Sequence, residues 1–194
     1  MTSRTRPARS TSSTRCRTRS ASAAPTRRWP SVATAADPAA VPLADVAGLE
    51  RRLEHRFGDR PLLIRALTHA SYSAEHPLEA SQEPLAFLGD AVLGLVVAEH
   101  LLDVDPAAPV GRLTPLRAAL VADETLARWA AVLALGPLLR LGRGAEQDGG
   151  RATPSILATA LEAVLGALYL DAGLPVVRTL VGRLAGWPPL RVIG

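Results

Sequence analysis

Residues 83–95 read Glu83-Pro84-Leu85-Ala86-Phe87-Leu88-Gly89-Asp90-Ala91-Val92-Leu93-Gly94-Leu95. A stretch this apolar belongs inside a protein, yet it carries a carboxylate at Asp90 and glycines at 89 and 94. Each glycine inside a helix costs about 1 kcal/mol relative to alanine, and a buried carboxylate without a partner costs more. Such departures from good helix chemistry have local reasons, either close packing or a site. Helical spacing sets Glu83, Ala86 and Asp90 on one face, at steps of three and four. The residues alone leave two readings of Asp90: a bond to neighbouring backbone or arginine, or a functional carboxylate.

A second stretch has the same character. Ser155 to Asp171 reads SILATALEAVLGALYLD, with Glu162 the lone acid inside an apolar run and Thr159 one turn before it. Two isolated carboxylates on two apolar helices are what a hard cation needs, since Mg²⁺ takes oxygen ligands, few of them from protein, and keeps waters. One such water can become a nucleophile on phosphorus.

Around these two segments the chain reads as helical throughout. Leu43, Val46, Leu49, Leu53 and Phe57 recur at helical steps before a Gly58-Asp59 stop. Pro61 opens a second helix through His69. Ser71 to Gln82 is polar, contains Pro77 and predicts a loop. Leu85 to Leu102 predicts a long apolar helix, Asp103 to Pro109 a loop, and Leu113 to Leu135 one more helix, broken at Gly136-Pro137. Gly142 to Gly150 predicts a glycine-rich loop, Pro154–Leu170 a helix stopped by Asp171-Ala172-Gly173, and Val176, Leu180 and Leu184 mark a last helix. With no alternating pattern and no internal repeat, the expected fold class is all-α.

Length and charge bound the rest. The 194 residues suit one domain plus a tail. The formal charge of +4 comes from 22 basic residues, all arginine, against 18 acidic ones. Eight arginines lie before residue 29 and no acid precedes Asp37, so residues 1–36 carry +8 and the remainder 14 − 18 = −4. The expected organisation is a disordered Arg/Ser/Pro-rich leader over 1–42, a domain over 43–187 and a short tail over 188–194. The leader lacks the apolar core of a secretory signal. It reads as a transit peptide, a basic arm or a misassigned start, which sets an organellar alternative beside a cytoplasmic location. The single cysteine, Cys16, excludes an intrachain disulfide framework and a CxxC zinc site. The longest uncharged apolar stretch, Trp129–Leu139, falls far short of the roughly 20 residues that span a bilayer, so no membrane partner is expected.

FLGDAVLGL together with SILATALEAVLGALYLDAG resembles the two hallmark segments of the ribonuclease III family. ALTHASY, LRAALVADETLA and LGRGAEQDGGRATPSIL resemble its further motifs in the same order, so the resemblance runs from about Leu43 to Leu184. It implies an all-α nuclease domain, a homodimer, and Mg²⁺-dependent (or Mn²⁺-dependent) cutting of double-stranded RNA. It also implies a site of four acids, of which this chain keeps Asp90 and Glu162. Ala86 and Thr159 stand at the other two positions, lowering the implied ligand charge from −4 to −2. Pro84 replaces the usual arginine, and Glu83 matches an auxiliary acid one turn away. Phe87 matches the family's aromatic that plugs into the partner subunit.

From these substitutions the expectation is impaired catalysis by Asp90, Glu162 and Glu83. The alternative is a non-catalytic RNA-binding or ribosome-associated homologue, a role that relatives with eroded sites take. Only ten residues follow Leu184, so the double-stranded-RNA-binding domain common in bacterial relatives is expected to be absent. His69 and His76 read as surface or capping groups, and Asp123-Glu124 as a solvated helix face. For Arg140 to Arg143 both phosphate contact and solvated loop charge stay open.

Overall fold

The computed structural model describes residues 43–188. The leader expected over 1–42 and all but the first residue of the expected tail lie outside the described residues. Nine α-helices occur within the described residues: α1 (Leu43–Leu53), α2 (Arg60–Ala66), α3 (Ala70–Glu75), α4 (Glu83–Val104), α5 (Val110–Leu120), α6 (Asp123–Val132), α7 (Arg143–Gln147), α8 (Pro154–Ala172) and α9 (Leu174–Ala185). No strand occurs among them; Thr68 and Arg140 form an isolated parallel bridge. The all-α expectation holds, with three corrections of detail. The stretch expected as a loop from Ser71 contains α3, because the His69 ring accepts from the Ser71 N–H and caps a short helix. The glycine-rich loop contains α7. The helix expected over Leu113 to Leu135 is two helices, because Ala122 is extended and the acids Asp123 and Glu124 start a new N-terminus.

α8 is the axis of the domain. Ala160, Leu161, Ala163, Val164, Leu165, Ala167 and Leu168 are all fully buried, so this helix is covered on every side over two turns. α4 lies along it, and α2, α6 and α9 complete the surround. By length and composition alone α4 and α8 could each cross a membrane. Here their apolar faces cover one another.

The α4–α8 crossing is made by backbone. A Cβ on Gly89 would overlap the carbonyl oxygen of Glu162, and one on Gly166 would overlap that of Leu85. Both glycines are therefore explained by close approach rather than flexibility. Because Gly89 sits on the backbone of Glu162 itself, its neighbour Asp90 is delivered to the turn that carries the second acid.

Polar ties set the ends of this pair. Asp171, at the end of α8, accepts from the backbone N–H groups of Gly58 and Asp59 at 3.2 and 3.1 Å and meets His55 Nε2 at 2.7 Å. Burial works to raise its pKa, but these hydrogen bonds and the His55 charge outweigh it and hold the carboxyl below its ordinary range. Arg178 on α9 makes a two-point contact with Glu99 on α4. Arg140, buried, bonds Thr68 Oγ1 at 3.2 Å, Glu79 at 3.1 Å and the Tyr72 hydroxyl at 3.0 Å. The Thr68 carbonyl in turn receives the Gln82 N–H at 2.8 Å, which fixes where α4 begins.

The glycine crossing predicts that Gly89→Ala and Gly166→Ala each lower stability in urea unfolding by about 3 kcal/mol, the upper range for overpacking a core. Gly94→Ala, where a Cβ meets nothing within 4 Å, should instead raise stability by about 1 kcal/mol.

Candidate functional site

Asp90 follows Gly89, which packs against the backbone carbonyl of Glu162 at the α4–α8 crossing. Asp90 is exposed on α4 and Glu162 half-buried on α8. The Glu162 carboxyl is raised from 4.5 to about 7, first by burial, then by the negative charges of Asp90 and Asp123. A carboxyl raised chiefly by burial, with nearby carboxylates adding to the shift, is the kind of group that marks a candidate site.

One turn before each acid lies its non-acidic neighbour. Ala86 is buried, 6% exposed, and Thr159 is partly buried. Alanine offers no oxygen and threonine only a neutral one. Glu83, in the first turn of α4, is exposed and accepts from the Ser81 hydroxyl at 3.1 Å. Its charge acts on His69, whose pKa is lowered by burial against that pull, and is not among those that act on Glu162. The charge of Asp90 thus acts on Glu162, whereas that of Glu83 acts on His69.

The remaining candidates fall in separate places. His69 is the N-cap of α3, its Nδ1 at 2.8 Å from Ser71 Oγ. His76 ends α3 and stacks on Tyr72 with ring centroids 4.0 Å apart. Arg140 is neither solvated nor open to a phosphate, because it is 4% exposed and spent on Thr68, Tyr72 and Glu79. Arg143 is exposed and bonds Glu75 through both its backbone N–H and its guanidinium. Phe87 is 82% exposed on the outer face of α4, which continues through Leu95 and Leu102.

Asp123 is the residue whose part the sequence reading missed. It is exposed, as a solvated helix face should be, yet its charge reaches Glu162. Merging α5 and α6 into one helix removed the signal, since the phase of Asp123 on α6 shows only once Ala122 is known to break the chain.

Among the described residues no three His, Cys, Asp or Glu side chains converge as a ready-made ion cage. The two carboxylates nevertheless suit a hydrated Mg²⁺, which is usually held through one or two carboxylates with several waters retained. Oxygen donors and the absence of sulfur or imidazole at this crossing fit a hard cation.

A family profile described as Ribonuclease-III-like matches residues 59–185. A protein named Ribonuclease 3 from Variovorax paradoxus is 50% identical over 139 residues, spanning 72% of this chain and 59% of its own. One of the same name from Streptomyces coelicolor is 50% identical over 153 residues, spanning 77% of this chain and 55% of its own. The chain therefore spans little more than half the length of these curated relatives. The nuclease domain of Ribonuclase III from Campylobacter jejuni, described for flexibility in a region involved in dimer formation, superposes with a TM-score of 0.68. It is 42% identical and covers 72% of this chain and 94% of its own.

The raised carboxyl predicts a pH signature in the free protein. Below pH about 4.5 Glu162 is protonated whether folded or not; between 4.5 and about 7 the unfolded chain releases the proton first, so stability falls across that window. Glu162→Gln should match wild type near pH 4 and exceed its melting temperature by about 2–4 °C at pH 7.5 and above. That is the shift a ~1 kcal/mol effect gives in a domain of this size, with the half-exposed group discounted for solvent screening.

Proposed function

Because the chain belongs to the Ribonuclease-III-like family, we propose that it acts on double-stranded RNA through the Asp90–Glu162 site with impaired Mg²⁺-dependent cleavage. The observation that carries this reading is the pairing itself: one acid survives on each of the two crossing helices, and their charges interact. A bound Mg²⁺ (or Mn²⁺) would polarise a water for attack on phosphorus and offset the charge of the phosphate. Asp90 and Glu162 are the residues that would hold it. The glycine contact fixes their spacing, so neither helix has to move to form the site.

Impairment follows from Ala86 and Thr159. Each lies one turn before the surviving acid on its own helix, so each half of the site is missing the same member of a pair. With two carboxylates in place of four, both the attraction for a divalent cation and the lowering of its water's pKa are reduced. The same two substitutions favour a second reading, a homologue that binds RNA or a ribosomal partner without cutting.

We further propose a homodimer built on the outer face of α4. Phe87 is a large aromatic exposed to 82% at the start of that face, with Leu95 and Leu102 half-exposed along it. Isolated exposed apolar residues are common, but a stripe of this kind marks an interaction surface. The Campylobacter jejuni relative, described for a region involved in dimer formation, supports it.

Cleavage of a long RNA duplex with Mg²⁺ or Mn²⁺ separates the readings. Weak cutting by wild type, lost in Asp90→Asn, is expected for the impaired enzyme. The double replacement Ala86→Glu with Thr159→Asp should then raise the rate by about 100-fold, the scale on which single groups stabilise a transition state. Duplex binding without cutting, unrepaired by the double replacement, would establish the non-catalytic homologue instead.

A further inference from the structure

Away from the α4–α8 crossing, most arginines among the described residues are held by a partner. Arg140 and Arg178 are tied as above, and Arg151 Nη1 donates to the carbonyls of Gly136, Pro137 and Leu139. Among the described arginines only the side chains of Arg51, Arg56 and Arg117 make no hydrogen bond or ion pair. Two of these, Arg51 and Arg56, are exposed and line one open groove of about 420 Å³ at the C-terminal end of α1. The acids of that groove are already neutralised. Glu50, 7% exposed, accepts the Phe57 N–H at 2.9 Å and lies 3.2 Å from Arg60. Glu54 pairs with Arg183 at 3.4 Å. Arg51 and Arg56 therefore leave two uncompensated positive charges on a stretch of chain, residues 37–194, that totals −4. The groove is anchored to the end of α8 by His55, whose Nε2 lies 2.7 Å from Asp171. Asp171 is nine residues beyond Glu162, or about 14 Å along the helix axis.

We propose that Arg51 and Arg56 form a phosphate-contact surface for the backbone of an RNA duplex, separate from the carboxylates of the crossing. The inference rests on the reading of this chain as one that acts on double-stranded RNA. Duplex RNA is recognised largely by its shape and through its phosphates and 2′-hydroxyls. A guanidinium presents a planar fork of donors that matches a phosphate in a two-point contact. An arginine already bonded to a carboxylate has to give up that partner first, whereas Arg51 and Arg56 have none to give up. Basic residues in the last turn of a helix also complement its carbonyl end. That role accounts for Arg51, which lies in the last turn of α1, but not for Arg56, which lies beyond it.

Fluorescence anisotropy of a labelled RNA duplex with the full chain, in chelator and over a salt series, tests this without reference to cleavage. The slope of log affinity against log salt reports how many phosphates the protein neutralises. Arg51→Gln with Arg56→Gln should make that slope shallower by about 2, one for each lost contact, and equally for duplexes of unrelated sequence. Arg51→Lys with Arg56→Lys keeps both charges and should keep the wild-type slope. Arg112→Gln with Arg128→Gln removes the same charge from two exposed arginines held by Asp105 and Thr125, and should leave the slope unchanged. Wild-type slope and affinity in the Arg51/Arg56 glutamine variant would overturn the contact surface and leave the duplex-RNA reading standing. An equal change in the Arg112/Arg128 variant would reduce the effect to net charge and also overturn the surface. A wild-type chain that binds no RNA duplex would overturn the surface and the duplex-RNA reading together.

Discussion

Two glycines bear the architecture. Gly89 and Gly166 let the backbones of α4 and α8 touch, because at each the other helix's carbonyl occupies the space that a Cβ would need. Helices joined through larger side chains sit 8–10 Å apart, which would separate carboxylates on their facing turns. The cost of two mid-helix glycines, about 1 kcal/mol each, is offset by burial of nearly every residue around the middle of α8. The contact has a chemical consequence, because the carbonyl that Gly89 touches belongs to Glu162. Fold and site are thus one constraint, and a change at the crossing should disturb both.

Among the described residues several arginines tie neighbouring elements together. Arg140, Arg151 and Arg178 are engaged with carbonyls, acids and an aromatic ring, and Arg60 covers the buried Glu50. The basic balance of the whole chain comes from its first 36 residues, while residues 37–194 are at −4. Contact with an RNA backbone depends on available cations, so the net charge of the chain says little about the domain. The case for RNA stands on family membership and on the placement of two acids.

Much of the fold was legible from the residue pattern. The long apolar runs of α4 and α8, each with a lone acid, announced two buried helices, and the Gly173 stop and Pro154 start were read to within a residue or two. Where the reading failed, local bonds had overridden composition. Ser71 to Glu75 looks like loop, yet the His69 cap and a stacked Tyr72–His76 pair make it helical. Leu113 to Leu135 looks like one helix, yet an extended Ala122 splits it and makes Asp123 the first residue of α6. The family resemblance placed Glu83 among possible ligands; in the fold it accepts from the Ser81 hydroxyl and its charge acts on His69. Spacing within one helix predicts which residues share a face; it carries no information about what the next helix brings to that face.

At the α4–α8 crossing the charge of Asp90 acts on the Glu162 carboxyl. The most direct measurement is a carbon-detected NMR titration of the Glu162 carboxyl in wild type and in Asp90→Asn. A midpoint near 7 is expected in wild type. Removing the Asp90 charge should lower it, while burial keeps it above the ordinary carboxylate value. A midpoint near 4.5 that does not respond to Asp90→Asn would show that the two carboxylates do not share a site.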